Sequence, residues 1–143
     1  MRKKFLEKIS LLSLTAFMLG TIAVSAAGKG ENTKAQFYQG VIKEKRTNTT
    51  LDYAYRDTEK KSDPFYVKLD YSNEDDKNLT VTRFWLENGK GDNLCNTVDV
   101  TLGKGYYAQN TYQSACSKRV YLTAEKNNWD INVYRISGYW IEE

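Results

Sequence analysis

Residues 120–141 read VYLTAEKNNWDINVYRISGYWI and contain two runs in which side chains of different character alternate. Within each run the apolar residues share one face: Val120, Leu122 and Ala124 in the first, and Ile131 and Val133 in the second. The polar pair Asn127-Asn128 separates the runs, so the stretch predicts a hairpin of two half-buried strands. Gly138 lies inside the second strand, where a glycine marks a bulge or a close backbone approach, and we expect the alternation to change phase near it.

Alternation and turn signals continue through the preceding part of the chain. Residues 65–71 alternate most regularly, and residues 79–86 are apolar on both faces towards their end, which is typical of a central strand with Trp85 buried. Glycine-containing turns such as residues 88–93 separate the runs, and no convincing helix follows residue 26. The pattern predicts an all-β fold, a small antiparallel β-sandwich of about seven strands. A small barrel has the same periodicity and stays an alternative.

Residues 1–26 have the pattern of a signal peptide. Four basic residues precede an apolar run over residues 9–24, and small side chains follow at residues 25–27. The run is short for a membrane span, and no basic cluster directly follows it. We therefore expect cleavage near residue 26 and a secreted, extracellular product without a membrane span. That product would have a flexible N-terminus over residues 27–34 and a single domain over residues 35–143.

The charge of the chain depends on this leader. The full sequence has 21 Lys+Arg and 18 Asp+Glu, whereas the part after residue 26 has 17 of each. Nucleic acids attract proteins through clustered positive charge, which a chain of balanced charge supplies only locally. We therefore expect no nucleic-acid partner.

The sequence contains no histidine, which excludes Ser-His-Asp and Cys-His catalysis and histidine-ligated zinc. Two carboxylates could still hydrolyse a glycosidic bond, but the acidic residues fall mostly at predicted turns and outward strand positions. Residues 70–76 are acidic enough to ligate calcium, yet they lack the EF-hand spacing, so a charged turn is the simpler explanation. We predict no enzymatic activity, no metal and no cofactor.

Cys95 and Cys116 are the two cysteines of the chain. In an exported protein an even pair of cysteines predicts a disulfide, and two cysteines allow one intramolecular pairing. Such a bond would pin the loop before residue 120 beside the strand predicted over residues 94–102. A nucleophilic thiol is the alternative, but it would lack a histidine partner.

Aromatic side chains are the remaining indication of function. The candidates on predicted outward faces, at the hairpin tip and beside Gly138 are Tyr66, Tyr121, Tyr134, Trp129 and Trp140. Exposed aromatic rings on a rigid sheet can stack on sugars or anchor a protein interface. Ordinary cross-strand pairing of tyrosines is the simpler explanation for the sheet positions. We predict that some of these side chains gather on one exposed binding patch that includes Trp129.

Several segments resemble a known family. They are KLDYS at residues 68–72, RFWL at 83–86, GYY at 105–107, VYLTAEKNN at 120–128 and VYRISGYWIEE at 133–143. Together with the leader, they resemble a family of small exported Gram-positive bacterial proteins of unknown function, which provides no catalytic residues to carry over to this chain. In size, export and all-β build the chain is also similar to the lactococcin 972-like bacteriocins, secreted β-sandwiches that interfere with cell-wall synthesis. That second likeness is one of form, and form alone does not establish function.

We therefore expect a secreted, non-enzymatic binding protein, bacteriocin-like, that acts at a bacterial cell envelope on a cell-wall component or a surface protein. A secreted enzyme, an enzyme inhibitor and a structural cell-surface protein are the alternatives. An adjacent transporter gene and an immunity-like membrane protein would favour the bacteriocin interpretation over the others.

Overall fold

The computed structural model describes residues 34–74 and 80–143, which form eight β-strands. The strands are β1 Gln36–Ile42, β2 Thr49–Arg56, β3 Phe65–Ser72, β4 Val81–Glu87, β5 Val98–Thr101, β6 Tyr107–Gln109, β7 Lys118–Lys126 and β8 Tyr134–Ile141. Helical structure in these residues is limited to a 3-10 turn at Gln113–Ala115. The predicted signal peptide over residues 1–26 and the segment 27–33 lie outside the described residues.

The strands form two four-stranded antiparallel sheets. In the first, the order is β1-β8-β3-β6, and in the second it is β2-β7-β4-β5. We call them the β8 sheet and the β7 sheet. Each sheet has an apolar face turned towards the other sheet, so the predicted β-sandwich is confirmed, with eight strands. The prediction of a central strand near residues 79–86 is also confirmed, because β4 lies between β7 and β5.

The predicted hairpin over residues 120–141 is wrong. Its two arms, β7 and β8, are strands of opposite sheets, and each lies between two other strands. Residues 127–133 carry the chain from one sheet to the other and are too long for the two-residue turn that the polar pair indicated. Alternation correctly indicated two half-buried strands, but it does not specify which strands they pair with.

The faces of β8 also differ from the prediction. Tyr134, Ile136, Gly138 and Trp140 all face the core in unbroken alternation, so the expected change of phase does not occur in β8. The irregularity lies in the neighbouring strand β3, where the register shifts between Leu69 and Tyr71. Gly138 does mark a close backbone approach, because a Cβ atom there would collide with the carbonyl oxygen of Lys68.

The core lies between the sheets and consists largely of apolar side chains. Tyr38 of β1 packs edge-on against Phe84 of β4, with ring centroids 5.6 Å apart, which joins the two sheets. Two cations are also buried between the sheets at their ends, Arg56 and Lys126. Buried cations require partners, and the described carboxylates nearest to Lys126 are Asp130, in the loop that follows β7, and Glu74, which follows β3.

Candidate functional site

The loop between β7 and β8, residues 127–133, contains the most exposed large apolar side chains of the described residues. Trp129 is 69%, Ile131 67% and Val133 60% exposed. We call residues 127–133 the tip loop. A single exposed apolar residue is ordinary. Three such residues within five positions form an apolar surface, and this surface is shielded from water only when a partner covers it.

The polar residues of the tip loop are used within the loop. Asp130 accepts hydrogen bonds from the backbone N–H of Asn132 at 2.9 Å and from its side-chain amide at 3.1 Å. Asn128 in turn accepts a hydrogen bond from the N–H of Asp130 at 3.1 Å. The hydrogen bond from the backbone N–H of Asn132 holds the pKa of the Asp130 carboxyl below its ordinary value, and the positive charge of the nearby Lys126 lowers this pKa further. The polar groups of the loop therefore bond to one another, while Asn128 and Asn132 stay exposed together with the apolar side chains and the Asp130 side chain is 36% exposed.

A buried lysine fixes the base of the tip loop. The Lys126 ammonium lies 3.6 Å from the Asp130 carboxylate and 4.0 Å from that of Glu74. It also lies 4.9 Å from the ring centroid of Tyr134, whose hydroxyl is 3.2 Å from that of Thr82. Burial raises the pKa of Tyr134 to about 12. Among the described residues the Lys126 Nζ forms no hydrogen bond, so its contacts with the base of the tip loop are those of charge and of the Tyr134 ring.

The loop between β1 and β2, residues 43–48, supports the tip loop from the side. The N–H of Lys45 donates to the carbonyl of Asp130 at 2.7 Å, and Arg46 donates to the carbonyl of Asn127 at 3.4 Å. The Arg46 guanidinium also lies 5.4 Å from the centre of the Trp129 ring. The indole is therefore held in a defined orientation while most of its surface stays exposed.

The five predicted binding residues are distributed over four parts of the molecule: the tip loop, the outer face of each sheet, and the core. Trp129 is exposed on the tip loop, as expected for a tip residue. Tyr66 and Tyr121 are half-buried on the outer faces of opposite sheets, so they do not share a patch with each other.

Tyr134 and Trp140 require correction. They are only 2% and 0% exposed, and both side chains belong to the core. The error follows from the predicted hairpin, which places Ile131 and Val133 on the inner face of its second strand. In the structure, Tyr134 and Ile136 occupy that face. The strand begins at Tyr134, and the apolar residues before it belong to the tip loop.

A second aromatic surface lies on the outer face of the β7 sheet. Tyr53 is 59% exposed and pairs across the strands with Tyr121 at a centroid distance of 6.0 Å. Arg119 lies 5.4 Å from the Tyr53 ring centre, and Tyr55 donates a hydrogen bond to the carbonyl of Ser117 at 2.8 Å. This is ordinary cross-strand packing with the hydroxyls at the surface. Tyr53 therefore provides an exposed aromatic control outside the tip loop.

Sequence reasoning found Trp129 but missed Ile131, Val133, Lys126 and Asp130. The signal that was available is the alternation of Asn and Asp with apolar residues over residues 127–133. Asn and Asp side chains hydrogen-bond to backbone N–H groups two residues further on, which favours turns over strands. In such a segment the Asn and Asp side chains bond to the backbone of the loop, so the chain forms a turn and its apolar residues are left exposed.

The predicted disulfide is not present. Cys95 and Cys116 are free thiols, and Cys95 does not lie within the strand that was predicted over residues 94–102. It precedes β5 and is buried, with its sulfur accepting a hydrogen bond from the N–H of Leu86 at 3.1 Å. Burial raises the pKa of the Cys95 thiol to about 11, so the thiol is protonated and unreactive at neutral pH.

The acidic turn over residues 70–76 is only partly described, since Asp75 and Asp76 lie outside the described residues. Within residues 34–74 and 80–143, no group of three or more Cys, Asp or Glu side chains is arranged to hold a metal ion. In the same residues, no helix is long and apolar enough to cross a membrane.

A family model described as a protein of unknown function (DUF2712) matches residues 22–143. The chain belongs to the DUF2712 family. The match covers all eight strands and the tip loop of this DUF2712 chain. No curated protein and no solved structure matches the chain.

Proposed function

We propose that the chain is an exported, non-enzymatic binding domain that acts at a bacterial cell envelope, and that the tip loop is its contact surface. The observation that carries this proposal is the exposure of Trp129, Ile131 and Val133 on a loop whose polar groups bond to one another and to the adjacent loop. Exposing large apolar side chains opposes solubility, so a surface of this kind is typical of a contact site. The loop is held from two sides, which lowers the entropy lost on binding.

The leader and the form of the molecule favour an envelope as the place of action. A signal peptide over residues 1–26 would deliver the domain outside the cytoplasm. The likeness in size and β-sandwich build to small secreted bacteriocins favours an envelope target over a soluble one. The sequence has no histidine, which removes the commonest general base and favours binding over catalysis.

A pull-down on isolated bacterial envelopes tests this proposal. The protein without residues 1–26, its Trp129→Ala variant and its Tyr53→Ala variant are each incubated with envelopes, and the bound fraction is measured. We expect Trp129→Ala to bind markedly less and Tyr53→Ala to bind like the parent. Equal binding by all three proteins, or none by the parent, would overturn the assignment. Inhibition of a secreted enzyme without envelope binding would favour the inhibitor alternative.

A further inference from the structure

We infer that the tip loop inserts into the interfacial region of an anionic lipid bilayer. This inference rests on the proposed function, and it names the chemistry of the target. Sugar recognition uses flat aromatic faces together with hydrogen-bonding groups, whereas Ile131 and Val133 provide neither. An indole beside two β-branched aliphatic side chains instead matches the boundary between headgroups and hydrocarbon, where tryptophan is enriched.

The polar groups of the tip loop are compatible with insertion. Backbone groups that leave water without a partner oppose entry into a bilayer. Here the N–H groups of Asp130 and Asn132 donate to side chains within the loop, and the carbonyl of Asp130 accepts from Lys45. The apolar side chains can therefore leave water without leaving these backbone groups unpaired.

The charges around the tip loop are complementary to anionic headgroups. Lys43, Lys45 and Arg46 are exposed in the adjacent loop, with Glu44 as its one acidic residue. The acidic residue of the tip loop itself, Asp130, lies 3.6 Å from the buried Lys126 ammonium. Four cations, Lys43, Lys45, Arg46 and Lys126, lie near the apolar tip with three acidic residues, Glu44, Glu74 and Asp130, so a local excess of one positive charge lies beside the tip although the chain after residue 26 has balanced charge. Basic residues beside an inserting apolar segment strengthen binding to anionic lipids.

The tryptophans provide a direct measurement of insertion. Trp85 and Trp140 are buried, whereas Trp129 is 69% exposed, so a change in fluorescence on binding reports mainly on Trp129. The protein is mixed with vesicles of phosphatidylcholine alone or of phosphatidylcholine with phosphatidylglycerol. We expect co-sedimentation with the anionic vesicles, a blue shift of emission and protection from acrylamide quenching.

Variants separate the apolar from the electrostatic contribution. We expect Ile131→Asn/Val133→Asn to lower partitioning into anionic vesicles about tenfold or more, since it removes apolar area that would leave water. Lys45→Glu/Arg46→Glu should reduce partitioning mainly when phosphatidylglycerol is present and at low salt. Tyr53→Ala should partition like the parent. Far-ultraviolet circular dichroism and unfolding of each variant confirm that the fold is retained.

Three results would overturn the inference. The first is binding to isolated envelopes and to lipid-free cell wall without binding to vesicles, which leaves the proposed function standing with a glycan or protein target. The second is vesicle binding that Ile131→Asn/Val133→Asn does not reduce, which places the lipid contact elsewhere. The third is a parent protein that binds neither vesicles nor envelopes, which contradicts the proposed function as well.

Discussion

The indole nitrogen of Trp140 in β8 donates a hydrogen bond of 2.8 Å to the carboxylate of Asp52 in β2, and this bond joins the two sheets across the sandwich. Asp52 faces inwards because the register of β2 shifts between Thr50 and Asp52. Trp140 is fully buried, so its N–H requires a partner. The register shift in β2 of the β7 sheet thus provides a hydrogen-bond acceptor for the indole N–H of Trp140 in the β8 sheet.

Replacing Trp140 by phenylalanine tests this bond. Trp140→Phe keeps an aromatic ring but removes the donor, and we expect a loss of about 1–3 kcal/mol in the free energy of unfolding because Asp52 is left without its partner. Asp52→Asn keeps a side-chain oxygen acceptor and should cost less. Urea unfolding measures both variants, and a Trp140→Phe protein as stable as the parent would show that the bond contributes nothing.

Gly138→Ala should be strongly destabilising. A Cβ atom at Gly138 would collide with the carbonyl of Lys68 and lie 2.8 Å from the Tyr38 hydroxyl, which itself donates to that carbonyl at 2.8 Å. The β3 and β8 strands would have to separate, at a cost of about 3 kcal/mol or more. Gly89→Ala is the control, because its Cβ would make an ordinary contact 3.6 Å from Tyr121. Similar thermal midpoints for the two variants would contradict the close packing at Gly138.

The two tryptophans Trp85 and Trp129 should differ sharply in their effect on stability. Trp85 is 3% exposed and donates from its indole to Glu87 at 2.7 Å. Trp85→Ala should therefore cost about 3–5 kcal/mol. Trp129→Ala removes mainly the contact with Arg46 and should cost less than about 1 kcal/mol. Thermal and urea unfolding decide this, and equal losses would mean that Trp129 has a structural role.

Alkaline pH should destabilise the fold through its buried tyrosines. Burial raises the pKa of Tyr134 from the ordinary 10.0 to about 12, and it raises the pKa of Tyr38 further. Between pH 10 and about pH 12 the Tyr134 hydroxyl loses its proton in the unfolded chain but keeps it in the folded chain. The stability that is present below pH 10 is therefore lost as the pH rises towards 12. Urea midpoints across this range measure the slope. Tyr134→Phe should flatten it, and an unchanged slope would contradict the assignment.

The cysteines should react as free thiols of different accessibility. Cys95 is buried with a raised pKa, so a thiol reagent at neutral pH should modify it only after unfolding, whereas Cys116 is partly exposed. Reaction is followed with and without denaturant, and Cys116→Ser identifies which thiol reacts first. A disulfide between Cys95 and Cys116, found by peptide mapping without reductant, would contradict the presence of two free thiols.

Residue patterns predicted most of the inward positions of β3 and β7, but neither the inner face of β8 nor the partners of the strands. Phe65, Val67 and Leu69 are buried as their alternation predicts, and Trp85 is buried on a central strand. In contrast, β7 and β8 were paired because they are adjacent in sequence, whereas their partners are distant in the chain. Alternation records burial on each side of a strand and contains no information on pairing.

Buried charges were the other feature that the sequence did not reveal. Lys126 falls at an inward position of β7, yet a lysine in a pattern is ordinarily interpreted as exposed. Its burial depends on Asp130 in the loop and on Glu74 in another strand connection. Such a contact is set by tertiary structure, so the burial of Lys126 could be recognised only once the fold was known.

The position of β8 between β1 and β3 constrains the order of events during synthesis. β1 and β3 are synthesised before β8. They do not pair with each other, so they can join one sheet only after β8 is available to pair with both. Until residues 134–141 have been synthesised, β1 and β3 lack the strand that joins them into the β8 sheet. The apolar face of the β7 sheet is then not completely covered. Pairing of strands so distant in the chain is slow. The β8 sheet therefore cannot be completed until the last strand of the described residues has been synthesised.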